Sequence, residues 1–224
     1  MPHLIGVQGP LGAGKSTTGT FMSWLLKNEI EAAGGHVELF ANFDLYGAYI
    51  MKESQDWFRV ADAQGSICVW DEAHRSFDSR RFMTYQNQVA TDILTFVRKM
   101  ASIQIFITPN VRRLDTRIRE IMEVLITVRK VGNRGISLDY YDFQDDQFGA
   151  YGRFLHSRFL PASKLKQIHA LNLFDSHSFI RGFPLPKTER EANRFMDELE
   201  KAHDEARFRK QLITPKNTKE AVIS

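Results

Sequence analysis

Gly9-Pro10-Leu11-Gly12-Ala13-Gly14-Lys15-Ser16, followed by Thr17, spells G-x-x-x-x-G-K-[ST], a spacing that lets a backbone wrap phosphate oxygens. Glycines remove Cβ clashes from such a loop, and the N–H groups that open the next helix then face negative charge. Lys15 is placed to reach the β- and γ-phosphates of a nucleoside triphosphate, and the Ser16 hydroxyl to ligate Mg²⁺. Further on, Ser66-Ile67-Cys68-Val69-Trp70-Asp71-Glu72 is an apolar run that ends in two carboxylates. Asp71, at the tip of such a strand, can hold the Mg²⁺ water shell opposite Ser16. Glu72, one residue on, is placed to orient and deprotonate an attacking water. A base for water argues for hydrolysis rather than transfer to a small acceptor, so the two motifs together point to ATP hydrolysis.

Other residues could serve that chemistry. The apolar run Ile103–Ile107 ends at Thr108-Pro109-Asn110, where Asn110 or Thr108 could sense the state of the γ-phosphate. Arg117 and Arg119, in Leu114-Asp115-Thr116-Arg117-Ile118-Arg119, are candidates for a guanidinium supplied to a neighbouring subunit. Arg75 and Arg98 compete for that role. Arg112 and Arg113, like Arg80 and Arg81, suit sequence-independent contacts to a phosphate backbone. His74 could couple the site to the loop after it.

These residues need a scaffold. Leu4–Gln8 reads as a strand running into the glycines, and Ser16–Ala33 as the helix after them, stopped by Gly34-Gly35. Val37–Ala41 reads as a second strand, Ser54–Ala63 as a short helix with Ser54 as N-cap, and Ile67–Trp70 as a third strand. Met83–Ala101 has apolar residues at helical spacing, Ile103–Ile107 is a fourth strand, and a charged helical piece, Leu114–Ile121, leads into Val124–Val131. Gly132-Asn133-Arg134-Gly135 then turns the chain into Ile136–Phe143. Alternating strands and helices predict an α/β fold whose mainly parallel sheet is covered on both faces, with the last hairpin as an antiparallel edge. The expected division is a core over 1–143, a mixed extension over 144–187 and an amphipathic helix with a tail over 188–224. That helix opens on Thr188-Glu189-Arg190-Glu191, a capping-box spacing, and carries the stripe Ala192, Phe195, Met196, Leu199, Ala202 and Ala206, expected to dock on its own domain.

Composition narrows the class. The 224 residues suffice for one sizeable domain, and 43% hydrophobic with 25% charged residues is a globular balance. The single cysteine, Cys68, excludes a disulfide framework or a cysteine zinc site and reads as a small core residue. The N-terminus has no charged and apolar segments of a secretion signal, and no run approaches the ~18 apolar residues of a membrane span. Charge is uneven. Residues 1–74 hold 4 Lys/Arg against 9 Asp/Glu (−5), residues 75–134 hold 12 against 5 (+7), and the remainder 14 against 13 (+1). A basic stretch next to a nucleotide site implies a polyanionic partner.

On its phosphate-binding loop Gly9–Ser16, on Phe40-Ala41-Asn42, on Trp70-Asp71-Glu72-Ala73-His74-Arg75 with Phe77, on Arg98-Lys99 and on Leu114–Arg119, the chain resembles the FtsK/HerA lineage of ring ATPases, above all its viral genome-packaging members. It is also similar to the ATPase part of zonula-occludens-toxin-like phage assembly proteins. The similarity covers roughly residues 3–131, and Thr108-Pro109 stands where the lineage often has Thr-Gln. The resemblance implies a P-loop NTPase of the additional-strand, catalytic-glutamate class that uses ATP and Mg²⁺. It further implies a homo-oligomeric ring, pentamer or hexamer, that drives double-stranded DNA into a preformed capsid through capsid vertex or portal proteins. Such a protein would work at the packaging vertex of the virion or in the host cytoplasm. Two alternatives stay open: an assembly or secretion ATPase acting on a protein or a filament, and a non-motor nucleotide switch or kinase.

Overall fold

The computed structural model describes residues 2–75, 84–175 and 179–213. In chain order the first half holds β1 (Leu4–Gln8), α1 (Lys15–Ala32), β2 (Glu38–Ala41), β3 (Ala48–Ile50), α2 (Asp56–Ala63), β4 (Ser66–Trp70) and α3 (Thr84–Phe96). The second half holds β5 (Ser102–Thr108), α4 (Thr116–Ile121), β6 (Val124–Val131), β7 (Gly135–Asp142), β8 (Arg153–Pro161), α5 (Ala162–Ala170) and α6 (Glu189–Ile213). All eight strands form one sheet in the order β3-β2-β4-β5-β1-β6-β7-β8. The first six run parallel, and β7 and β8 are antiparallel.

The sheet's core comes from alternation in strands buried on both faces. Ile5, Val7, Ile67, Val69, Ile105 and Ile107 pack on the face covered by α1. Leu4, Cys68, Trp70, Phe106 and Leu125 pack on the opposite face, with residues of α2, α3, α4 and α6. Cys68 is fully buried there, and burial pushes its thiol up to about 11, so it stays protonated and inert. The Trp70 indole donates to Gln104 Oε1 at 2.7 Å, and Gln104 donates on to Ser102 at 2.8 Å. The buried polar groups beneath the Asp71–Glu72 tip are therefore satisfied.

Several expectations shift. α3 ends at Phe96 rather than Ala101; the chain continues in turns over 97–101, and Ala101 takes a left-handed φ of 51° at the entry to β5; Met83 lies outside the described residues. α2 starts at Asp56 and Ser54 does not cap it: the Ser54 hydroxyl donates to Gln55 Oε1 at 3.1 Å. Instead the Asp56 carboxylate reaches back and accepts the N–H groups of Lys52 at 2.6 Å and Glu53 at 3.0 Å. Residues 144–187, which show little periodicity, contain β8 and α5 and extend the sheet beyond the predicted hairpin. The capping box forms with a shift: Thr188 Oγ1 accepts from Glu191 N–H at 3.2 Å, but the Glu191 carboxylate takes Lys187 N–H at 3.1 Å. α6 docks on its own domain, with Phe195 against Phe58 and the buried His203 against Phe96.

Of the residues between α5 and α6, the described segments 171–175 and 179–186 meet the tip of β2, the latter as a strap. Tyr46 N–H donates to Leu173 O at 2.7 Å, and Arg181 N–H donates to Asn42 O at 2.8 Å. Phe183 then packs beside Trp70 and Trp57, and the Trp57 indole donates to Pro184 O at 3.0 Å. Among the described residues, no helix is long and apolar enough to cross a membrane.

Candidate active site

The loop Gly9–Ser16 leaves the C-terminal end of β1, and its backbone depends on glycine at two places. A Cβ on Gly9 would lie 2.3 Å from Val128 O of β6, a backbone contact that cannot yield. Gly14 caps α1 at φ 94°, ψ 21°, a left-handed conformation costly for any residue with a Cβ. The turn it makes directs the first N–H groups of α1 into the loop. Lys15 is nearly buried, and its Nζ donates to Pro10 O across the loop at 3.0 Å.

Asp71 and Glu72 follow β4, and β5 lies between β4 and β1. Despite that intervening strand the two motifs meet: Ser16 Oγ donates to Asp71 Oδ2 at 2.8 Å. The other Asp71 oxygen accepts Glu72 N–H at 2.8 Å. Burial pushes the Asp71 carboxyl above its ordinary value, against the opposing effects of the Ser16 hydroxyl and the Glu72 N–H. A buried carboxylate oxygen facing a hydroxyl is the hard-oxygen donor set that suits a divalent cation such as Mg²⁺. Glu72 has φ 52°, left-handed for a residue with a side chain, and backbone strain of this kind gathers at functional sites. Its Oε2 stands 3.4 Å from His74 Nε2; the loop after His74, to which the sequence suggested a coupling, lies outside the described residues.

Lys15, Ser16, Thr17 and Glu72 line one cavity of about 630 Å³, closed on its other side by His169, Asn172 and Phe174. A neighbouring cavity of about 290 Å³ shares Gly12, Gly14, Thr17 and His169 and is walled by the β6–β7 turn and α5. The α5 side of the site was not legible in the sequence, because residues 144–187 carry no phosphate or metal motif.

The remaining candidates are not among the residues that line this cavity. Thr108 is buried at the tip of β5, and its hydroxyl donates to Asn110 O at 3.2 Å. Asn110 Oδ1 accepts Arg112 N–H at 2.9 Å, so its side chain caps the short turn that follows. Gln8, which the sequence did not single out, bridges the same region: it accepts Val111 N–H at 2.9 Å and donates to Thr127 Oγ1 at 3.1 Å. Arg117 is exposed on α4, and Arg119 donates to Thr116 Oγ1 at 2.8 Å. Arg98 pairs with Glu123 just before β6, at the opposite end of the sheet from the loop. The Arg75 side chain, Phe77, Arg80 and Arg81 lie outside the described residues.

Asn42, in the sequence only part of the Phe40-Ala41-Asn42 segment that carries the resemblance, has a definite place in the structure. Its side chain accepts Asp71 N–H at 2.9 Å and donates to Asp71 O at 3.0 Å, so it belongs to the site.

Solved structures align with the chain at low identity. The N-terminal domain of zonular occludens toxin from Neisseria meningitidis aligns at 14% identity and a TM-score of 0.48, covering 85% of this chain and 98% of that one. The DNA-packaging ATPase of Sulfolobus turreted icosahedral virus aligns at 13% identity and a TM-score of 0.43, covering 83% and 99%. No curated protein matches the chain. The model of the zonular occludens toxin (Zot) family matches residues 27–154, more than half of the sequence and inclusive of Asn42, Asp71 and Glu72. On that match the chain belongs to the zonular occludens toxin family.

Proposed function

We propose that this protein is an ATP-hydrolysing motor of the additional-strand, catalytic-glutamate class of P-loop proteins. One observation carries the reading: Ser16 of the loop is hydrogen-bonded to Asp71, just past β4, and Ser16 and Glu72 line one cavity. The loop Gly9–Thr17 binds the phosphates through its N–H groups and through Lys15, which exchanges the Pro10 carbonyl for phosphate oxygen. Ser16 and Asp71 are the residues that would hold Mg²⁺. Bound there, Mg²⁺ supplies positive charge that offsets the phosphate oxygens. Glu72 orients the attacking water and takes its proton on the carboxylate, which becomes neutral as the water oxygen bonds to the γ-phosphorus and ADP leaves, while His74 Nε2, 3.4 Å from Glu72 Oε2, holds the orientation of that carboxylate.

Membership of the zonular occludens toxin family supports virion assembly or secretion, with protein or filament as the moved object. A second reading, packaging of double-stranded DNA into a capsid, is supported by the +7 balance of residues 75–134. Either motor is proposed to act as a homo-oligomeric ring. We divide the chain into the ATPase core 1–143, the extension 144–187 that closes the site from α5, and the helix and tail 188–224.

Steady-state ATPase activity with and without double-stranded DNA, at low and moderate salt, tests this. Turnover is expected from the protein alone. Strong, salt-sensitive stimulation would favour the DNA motor, and indifference to DNA the assembly motor. No turnover under any of these conditions would remove the hydrolase reading.

A further inference from the structure

Asn42 sits one residue past β2 and is 2% exposed. An amide side chain offers an acceptor and two donor hydrogens, and the structure uses all three. Oδ1 accepts Asp71 N–H at 2.9 Å, while Nδ2 donates to Asp71 O at 3.0 Å and to Arg181 O at 2.6 Å. One buried side chain thus holds both peptide groups of Asp71, the residue that leads into left-handed Glu72, and ties them to the strap between α5 and α6. The backbone of Asn42 adds a fourth bond by accepting Arg181 N–H at 2.8 Å.

The strap grips the same tip a second time. Phe183 lies 4.6 Å from Trp70, the residue before Asp71, and 5.2 Å from Trp57 (ring centroids). The Trp57 indole donates to Pro184 O at 3.0 Å. A displacement of the Asp71–Glu72 tip therefore pulls on the strap through Asn42 and through Trp70. Sliding the strap would instead strip hydrogen bonds from buried groups, which are expensive to leave unmade.

We infer that Asn42 is a positioning residue for Glu72, and that it couples the state of the hydrolysis site to the strap formed by residues 179–186. The inference rests on the hydrolase reading above. Asn42 touches no reacting atom: it sets where the Glu72 carboxylate stands, and a misplacement of about 1 Å at a reacting centre costs on the order of 10²-fold in rate. The strap moves with the tip and exposes Phe179 to solvent, so it can report the nucleotide state to the outside of the molecule.

The test uses the full chain with Trp24→Phe, which leaves Trp57 and Trp70 as the tryptophans, both in contact with the strap. A non-hydrolysable ATP analogue should change the emission of this parent on binding. Asn42→Ala should bind the analogue as the parent does, lose about 10²-fold in turnover, and show no emission response. Asn42→Gln keeps the amide's acceptor and both donors on an arm one methylene longer, so its turnover should fall between the two. It also carries the test if Asn42→Ala fails to fold. Folded Asn42 variants with parental turnover and parental emission response would overturn the inference and leave the hydrolase reading standing. So would a loss of analogue binding in step with turnover, since that describes general damage to the fold. A parent that neither binds nor hydrolyses ATP would overturn both.

Discussion

Glu72 occupies a backbone conformation that a glycine would take more cheaply, yet a glycine could not serve as a base for water. Glu72→Gln keeps the volume and removes the base. It should bind ATP like the parent and lose about 10³-fold in turnover, within the range for a missing general base; single-turnover kinetics beside equilibrium binding would separate the two effects. Undiminished turnover would mean that another group activates the water. Lys15 poses a different case, because its ammonium is nearly buried in the loop against one carbonyl. Lys15→Ala should abolish high-affinity binding of a fluorescent ATP analogue, turnover or both, since no other cation lies in the loop Gly9–Ser16. An active Lys15→Ala protein would contradict the phosphate-binding role of that loop.

At the scale of elements, the start of α2 shows how one carboxylate can replace an expected cap. Burial raises the Asp56 carboxyl, but the N–H groups of Lys52 and Glu53, the Tyr49 hydroxyl and the Arg59 charge outweigh it and hold the group below its ordinary 3.8. A depressed value in the folded state means stability that is present above 3.8 and lost as pH falls through the folded value. Asp56→Ala should therefore lower stability by about 1–2 kcal/mol at neutral pH, the range of a lost helix cap. The difference from the parent should shrink below pH 3.8. Denaturant melts at neutral pH and at the lowest pH the fold tolerates would check both parts. A gap independent of pH would assign the loss to packing instead. The strap is the other element that counts, because it joins the face of α5 to that of α2 and α6 across the tip of β2.

For the whole molecule, the asymmetry of charge is the property with the widest reach. The basic stretch 75–134 includes Arg112 and Arg113, exposed in the turn between β5 and α4. If the motor holds double-stranded DNA, reversing both charges should weaken DNA affinity across all sequences. It should also flatten the dependence of log affinity on log salt by about 2, with basal ATPase activity unaffected. Equal salt slopes for Arg112→Glu/Arg113→Glu and the parent would remove these residues from any DNA path. The same measurement bears on the assembly reading, which predicts weak DNA binding for both proteins.

By itself the sequence determined the candidate motifs and most of the frame. The spacing Gly9–Ser16 and the carboxylates Asp71-Glu72 are local patterns, set by what a loop needs to approach phosphate and what a strand tip needs to hold a cation. β1 and β6 fall near where the apolar runs place them: β1 is buried along its whole length, and β6 is mostly buried up to Val128 before Arg129 and Lys130 reach solvent. Only the tertiary structure decided what lies between and around these parts. β5 stands between the two motifs, which is a matter of strand order that no local pattern encodes. β8 and α5 were hidden because an edge strand is wetted and carries mixed residues: Arg153–Phe159 are all exposed. Asn42 reads in the sequence as an ordinary strand end. Its grip on Asp71 and Arg181 spans 29 and 139 residues, and contacts that long arise only when the chain has closed on itself.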